Sequence, residues 1–247
     1  MQNSIPSWSN VMRTLLRADF TTQWRNRRAA IIMLITPVII LFSWKSLVAK
    51  LGGSYVLSTC ITIGLMGIGL MGYSNSIARD RDKGIFQRLR VAPIYPVSIM
   101  SSRLLVQWVM ILLSTSIVFF AGAKFDHINL TPAAYALGFI AALVGGTVYL
   151  GLGQAIVGLI KNAETVNSTT RLVYFVFILV GIFADLGALG QELDNAVKWS
   201  PYGTVKQMLN ASLQPSLWNQ QTSIALLVTL GYALVFSTLG IKRFTWK

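Results

Sequence analysis

His127 is the chain's one histidine and follows Asp126 directly, so the chemistry to test first is an imidazole oriented by a carboxylate beside a nucleophile. Neighbouring positions in a chain are a poor arrangement for that work, and the pair reads as solvated, in a short loop. The single cysteine, Cys60, sits in an apolar run, which leaves no partner for an intrachain disulfide and points to a buried thiol. No His-x-x-x-His or Glu-x-x-His spacing offers a metal site, and no catalytic residue is assigned. A phosphate-cradling Gly-x-x-x-x-Gly-Lys-Ser/Thr loop is absent as well, because no glycine precedes a lysine anywhere. A proton- or ion-driven carrier would place acids at mid-membrane depth, where their cost marks function. The clearly marked spans contain none, and Asp185, at the end of the fifth apolar run, is placed near the outer surface. Whatever work this chain does, its energy is expected from another polypeptide.

The densest polar stretch is Arg79-Asp80-Arg81-Asp82-Lys83-Gly84-Ile85-Phe86-Gln87-Arg88-Leu89-Arg90-Val91-Ala92-Pro93-Ile94-Tyr95-Pro96. On either side, from Leu51 to Ala78 and from Leu104 to Ala123, there is no Asp, Glu, Lys or Arg, and each run is long enough to cross a bilayer as a helix. The charged stretch is therefore read as a loop between spans. Gly84 can supply a left-handed turn, Phe86 and Leu89 share a helix face, and Pro93 ends the helix after about two turns. Together these describe a short amphipathic helix over 84–92 lying at a membrane surface.

The elements that hold this loop follow from composition. With 54% hydrophobic and only 12% charged residues in 247, the chain reads as an all-α integral membrane protein. Six spans are expected, at about 29–48, 55–77, 104–123, 133–160, 172–189 and 222–241, forming one domain over 29–247. Residues 1–28 are read as an interfacial helix: Trp8, Val11, Met12 and Leu15 recur at helical spacing opposite Arg13, Arg17 and Thr21. Asp19 falls on the apolar side, so the helix should bend there or Asp19 should meet an arginine. Pro37 is expected to kink the first span, which stays as an anchor without a cleavable signal. In the fourth, Gly138, Ala142 and Gly146 repeat at the spacing of close helix packing. The Gly-rich 186–190 stretch and Trp199-Ser200-Pro201-Tyr202 are read as an outer turn and an interfacial segment before the last span.

Charge sets the orientation. With both termini inside, all but five of the 21 basic residues face the cytoplasm, and only Lys45, Lys50, Lys124, Lys198 and Lys206 lie outside. The net charge of +13 is thus explained by topology and anionic inner-leaflet lipid, and nucleic-acid binding is not needed.

The run from Asp82-Lys83-Gly84 through a hydrophobic residue to Arg88-Leu89, then Pro93 and a new span after Arg103, resembles the permeases of type-2 ABC exporters, nearest the drug-efflux branch. Ser200-Pro201 resembles the element preceding the last span there. Two positions depart from the family: Asp82 stands where Glu is usual, and Ile85 where Thr is usual. The resemblance implies that this loop is the coupling helix docking on a separate ATP-hydrolysing subunit, with Asp82, Gly84, Phe86, Arg88, Leu89, Arg90 and Pro93 as the coupling residues. It also implies a short re-entrant outer segment before the last span.

Ser58, Thr62, Ser74 and Asn75 on the second span, with Gln107 and Ser114 on the third, offer hydroxyls and amides to a passage, or bond backbone carbonyls and neighbouring helices. A lining without charge suits an amphiphile or lipid-soluble drug. The expectation is a permease subunit of an ATP-driven exporter in a bacterial inner membrane, with no enzymatic site or bound cofactor of its own. Its partners would be membrane lipid, a second permease, identical or not, and two ATPase subunits holding ATP and Mg. Export of a lipid-linked saccharide, or a non-transporting resistance or anchor protein, are the alternatives.

Overall fold

The computed structural model describes residues 8–25, 27–90 and 96–244. They form helices α1 (Trp8–Arg25), α2 (Arg27–Ser43), α3 (Lys45–Leu51), α4 (Gly53–Met66), a π-helical segment (Gly67–Tyr73), α5 (Ser74–Asp82), α6 (Ile85–Arg90) and α7 (Pro96–Phe125). After them come α8 (Pro132–Leu159), α9 (Ala163–Asp185), α10 (Gln191–Lys198), α11 (Pro201–Leu213), a 3-10 turn (Pro215–Leu217) and α12 (Gln220–Arg243). No strand occurs among the described residues. Five helical runs are long and apolar enough to cross a membrane, and a sixth is counted when α1 and the apolar part of α2 are taken as one bent unit. This is an all-α integral membrane protein.

Helix starts are written in the sequence. Thr131, Asn162, Ser200 and Asn219 each accept a backbone N–H from three residues on, and proline follows at Pro132 and Pro201. The central element is the unbroken run Gly53–Asp82, whose most apolar stretch is 83% buried, against 17% for α12. Around it stand α2, α7, α8, α9 and α11, while α12 packs chiefly on α8. The expected glycine row is the contact face of α8: Gly138 meets Phe119 of α7 and Leu213 of α11, and Gly146 meets Ile111 of α7. Gly69 lies so near the backbone of Tyr149 that a Cβ there would stand 2.7 Å from its carbonyl oxygen.

Several expected boundaries move. The second span continues past Ile77 to Asp82, so Arg79–Asp82 is helix rather than loop; Asp80 and Arg81 bond to α7 and to the end of α8, and that holds the extra turn. The third span is already helical from Pro96. The fifth starts at Ala163, nine residues before its apolar run, because its first turns face a polar cavity, and it stops at Asp185 rather than 189. The first span runs through Pro37 and breaks at Trp44. α1 is continuous through Asp19, which meets Ser102 and Arg103.

Between α9 and α12 the chain makes a short hairpin. Gly187 and Gly190, at φ of +66° and +85°, turn it after α9. α10 then leads to a bend at Trp199-Ser200 beside Tyr149 and Tyr232, residues from the middle of α8 and α12, whose hydroxyls donate to Pro201 O (3.1 Å) and Trp199 O (2.9 Å). α11 returns to the outset of α4, where Ser54 Oγ donates to Gln214 Oε1 (2.9 Å). The expected interfacial segment Trp199–Tyr202 divides: Tyr202 is packed in the bundle, 1% exposed, whereas Trp199 is 36% exposed and keeps an outward face. Tyr202 fills the space beside Gly181, where a larger residue would collide with its ring.

Candidate functional site

At the end of the bundle where α5 stops, Lys83 and Gly84 reverse the chain, Gly84 in the left-handed region at φ +64°. The six residues of α6 follow. Phe86 on α6 is fully buried and meets Phe244 edge to face, ring centroids 5.6 Å apart. The guanidinium of Arg103 (α7) lies 4.9 Å from the centre of the same ring.

Arg103 is the junction of four elements. Its Nη1 pairs with Asp80 Oδ2 of α5 at 2.6 Å, and its Nε stands 4.0 Å from Asp19 Oδ1 of α1. Ser102 Oγ donates to the other oxygen of Asp19. Burial pushes the Asp19 carboxyl above the usual carboxylate range, opposed by that hydrogen bond and the Arg103 charge. All three ionic side chains are at most 19% exposed, so removing one partner leaves a buried charge uncompensated. One residue along, Arg81 turns the opposite way and donates to the carbonyls of Val157, Ile160 and Lys161, each at 2.7 Å. It caps the C-terminus of α8, where carbonyls lack intrahelical donors and positive charge is favoured.

Beside this junction a cavity of about 500 Å³ opens between α1, α2, the central helix and the first turns of α9. Its lining mixes the amides of Asn75 and Asn167 and the apolar Ile32, Met33 and Met71 with the charges of Arg25, Arg79, Lys83, Arg171 and Asp80, so it is not the uncharged passage expected from the sequence. Asn75 Nδ2 donates to Met71 O (2.9 Å) and reaches Asn167 Oδ1 at 3.4 Å, tying the central helix to α9.

Of the expected coupling residues, Phe86 and Leu89 turn toward the core, whereas Asp82 and Arg88 are exposed, and Gln87, outside that expected set, is exposed beside Arg88. Arg88 Nη2 donates to Lys83 O (2.9 Å), closing the turn at Gly84. Pro93 and the side chain of Arg90 lie outside the described residues.

The expected passage residues separate. Asn75 lines the large cavity. Ser58, Thr62 and Ser74 donate instead to Tyr55 O, Ser58 O and Gly69 O of their own helical run. Gln107 reaches a small crevice shared with Asp19, Asp80 and Arg103, and Ser114 is buried opposite Gly64. His127 is exposed after α7, and no group of three metal-ligating side chains occurs among the described residues. Sequence reasoning missed Asp80, Arg81 and Arg103 as structural charges. The signal available was Asp19, an acid on an apolar face that needed a buried cation.

A bundle of this kind, with a short anchored helix at the end of its most buried span, agrees with two comparisons. A protein of Bacillus subtilis (strain 168) named "Putative transport permease YvfS" is 21% identical over 241 residues, covering 94% of this chain and 96% of that protein. The family model described as ABC-2 type transporter matches residues 10–204. This chain belongs to the ABC-2 type transporter family and is a transmembrane permease whose family membership implies an ABC ATPase as partner.

Proposed function

We propose that this permease exports an amphiphilic drug, antibiotic or lipid-like molecule from a bacterial cell, driven by separate ATPase subunits that engage α6. In this reading both termini and α6 face the cytoplasm of the inner membrane. Two permeases, identical or not, pair above two ATPases, and ATP with Mg is held by those partners. The observation that carries the reading is the anchoring of α6: Phe86 is locked under Arg103 and against Phe244, while Gln87 and Arg88 stay exposed.

Each residue then has a part. Asp82, Gln87 and Arg88 present the surface a partner would grip, Gly84 sets the angle of α6, and Leu89 with Phe86 fixes it to the body, while Arg90 and Pro93 are proposed as coupling residues on the family resemblance alone. A push on α6 passes through Phe86 to the Arg103–Asp80 pair and into the central helix, and the cavity at Asn75 lies along that helix. Rigid-body rocking of packed helices is a known way to alternate between two arrangements. The mixture of apolar and mainly basic residues in the cavity lining supports an amphiphile whose polar part is neutral or acidic.

The test uses the permease co-expressed with its ATPase. A Gln87→Glu/Arg88→Glu double variant should assemble at wild-type yield in the membrane yet lower cargo-stimulated ATP turnover by about tenfold, equivalent to about 1.4 kcal/mol of coupling. Unchanged complex formation and turnover would sink the assignment of α6 as the contact.

A further inference from the structure

The other end of the bundle holds a second cavity, an open one of about 350 Å³, lined by the end of α9, the α10–α11 hairpin and Tyr55 at the start of α4. Its chemistry differs from that of the first. Lys206, 6% exposed, pairs with Asp185 and rests its ammonium 3.8 Å from the centre of the Tyr55 ring. Tyr202 donates to Asp185 as well (3.1 Å), so the Asp185 charge is matched within the protein.

Asp194 is not matched. Its Oδ1 is buried and accepts no hydrogen bond, and it forms no ion pair among the described residues. Lys198, one turn along α10, gives its ammonium to Gln221 Oε1 instead (2.8 Å). Two more buried acceptors without donors, Gln207 Oε1 and Asn210 Oδ1, belong to the same cavity wall. Those two residues are three apart on α11 and so share a face. A buried acceptor left without a donor is costly, and a carboxylate has no proton of its own to offer. A group that completes this wall brings hydrogen-bond donors, and beside Asp194 a positive charge, since the two lysines of the lining, Lys198 and Lys206, are engaged by Gln221 and Asp185.

We propose that this cavity is a binding site for a primary ammonium group, seated against Asp194, Gln207 and Asn210, on a ligand larger than a bare ion. The ammonium belongs either to a solute that the permease handles or to the headgroup of an aminophospholipid. The site stands apart from α6 and the junction at Arg103, and its test involves neither nucleotide nor ATPase.

The experiment uses the full chain in phosphatidylcholine nanodiscs, titrated with N-dansyl-1,5-diaminopentane and, separately, with its hydroxyl counterpart N-dansyl-5-aminopentanol, followed by fluorescence anisotropy. The amine should bind about tenfold more tightly than the alcohol, and Asp194→Asn should remove that preference while leaving the weaker alcohol binding in place. Equal binding of the two probes to the unaltered protein, which is what a merely water-filled cavity gives, overturns the proposal whatever the variant does. An amine preference that survives Asp194→Asn also overturns it. Replacing part of the disc lipid by phosphatidylethanolamine then separates the sources: loss of probe binding identifies the aminophospholipid headgroup, and retention identifies a solute amine.

Discussion

Arg103 illustrates how one side chain can hold a membrane bundle together at a place where the hydrophobic effect cannot. In lipid, apolar contact between helices gains little over contact with acyl chains, and specific polar contacts carry more of the pairing. Arg103 joins α5 by its pair with Asp80, α1 through Asp19 and α6 through the face of Phe86. Arg103→Met should destabilise the purified protein by about 3–5 kcal/mol, because Asp80 is left buried without its counter-charge. Adding Asp80→Asn to that variant should recover part of the loss, and thermal unfolding of the two proteins in one detergent would compare them. A double variant no more stable than the single would show that the pair is not what Arg103 contributes. The need for such a residue was legible in Asp19, whose place on an apolar face demanded a cation; its identity was not, because Asp80 and Arg103 are brought together by folding from positions 23 apart.

At the level of elements, apolar runs announced the spans, yet their ends depended on side chains with tertiary partners. Arg79 to Asp82 reads as a loop by charge alone, but Asp80 and Arg81 find Arg103 and the end of α8, so the helix continues. The opening of α9 was hidden in the opposite sense. Its polar first turns face the cavity at Asn75, although the cap at Asn162 marks the start for a reader attending to caps rather than hydropathy. The Gly-rich stretch does turn the chain after α9, at Gly187 and Gly190, and a second bend, not expected from the sequence, follows at Ser200, a proline-backed cap. Ser200→Ala should cost about 1 kcal/mol, measurable as a lowered unfolding temperature. Gly69→Val is expected to be far more damaging, since any side chain there meets the backbone of α8 at Tyr149. Poor membrane yield of Gly69→Val beside normal yield of Gly231→Val, where nothing crowds the site, would check this.

For the molecule as a whole, the proposed orientation places α6 and the Lys161 turn on one side of the membrane and His127 and Leu186 on the other. The one native thiol, Cys60, is buried, so introduced cysteines can be read against a silent background. Cysteine at Gln87 or Lys161 should react with a membrane-impermeant maleimide only after cells are opened, and cysteine at His127 or Leu186 in intact cells. The reverse pattern would invert the molecule and remove α6 from the reach of any cytoplasmic ATPase. The π-helical segment at Gly67–Tyr73 adds a consequence for anyone altering this protein. Such wide turns are commonly the trace of one surplus residue in an α-helix. Excising a single residue there would let the wide turn close to α-helical geometry and leave the residues above and below it in phase, whereas a residue lost from a regular α-helix swings everything beyond it by about 100° around the axis. With the wide turn closed, Asp80 would stay on Arg103 and Arg81 at the tip of α8, so this stretch is the one place in the central run where a chain one residue shorter keeps its upper and lower halves in register.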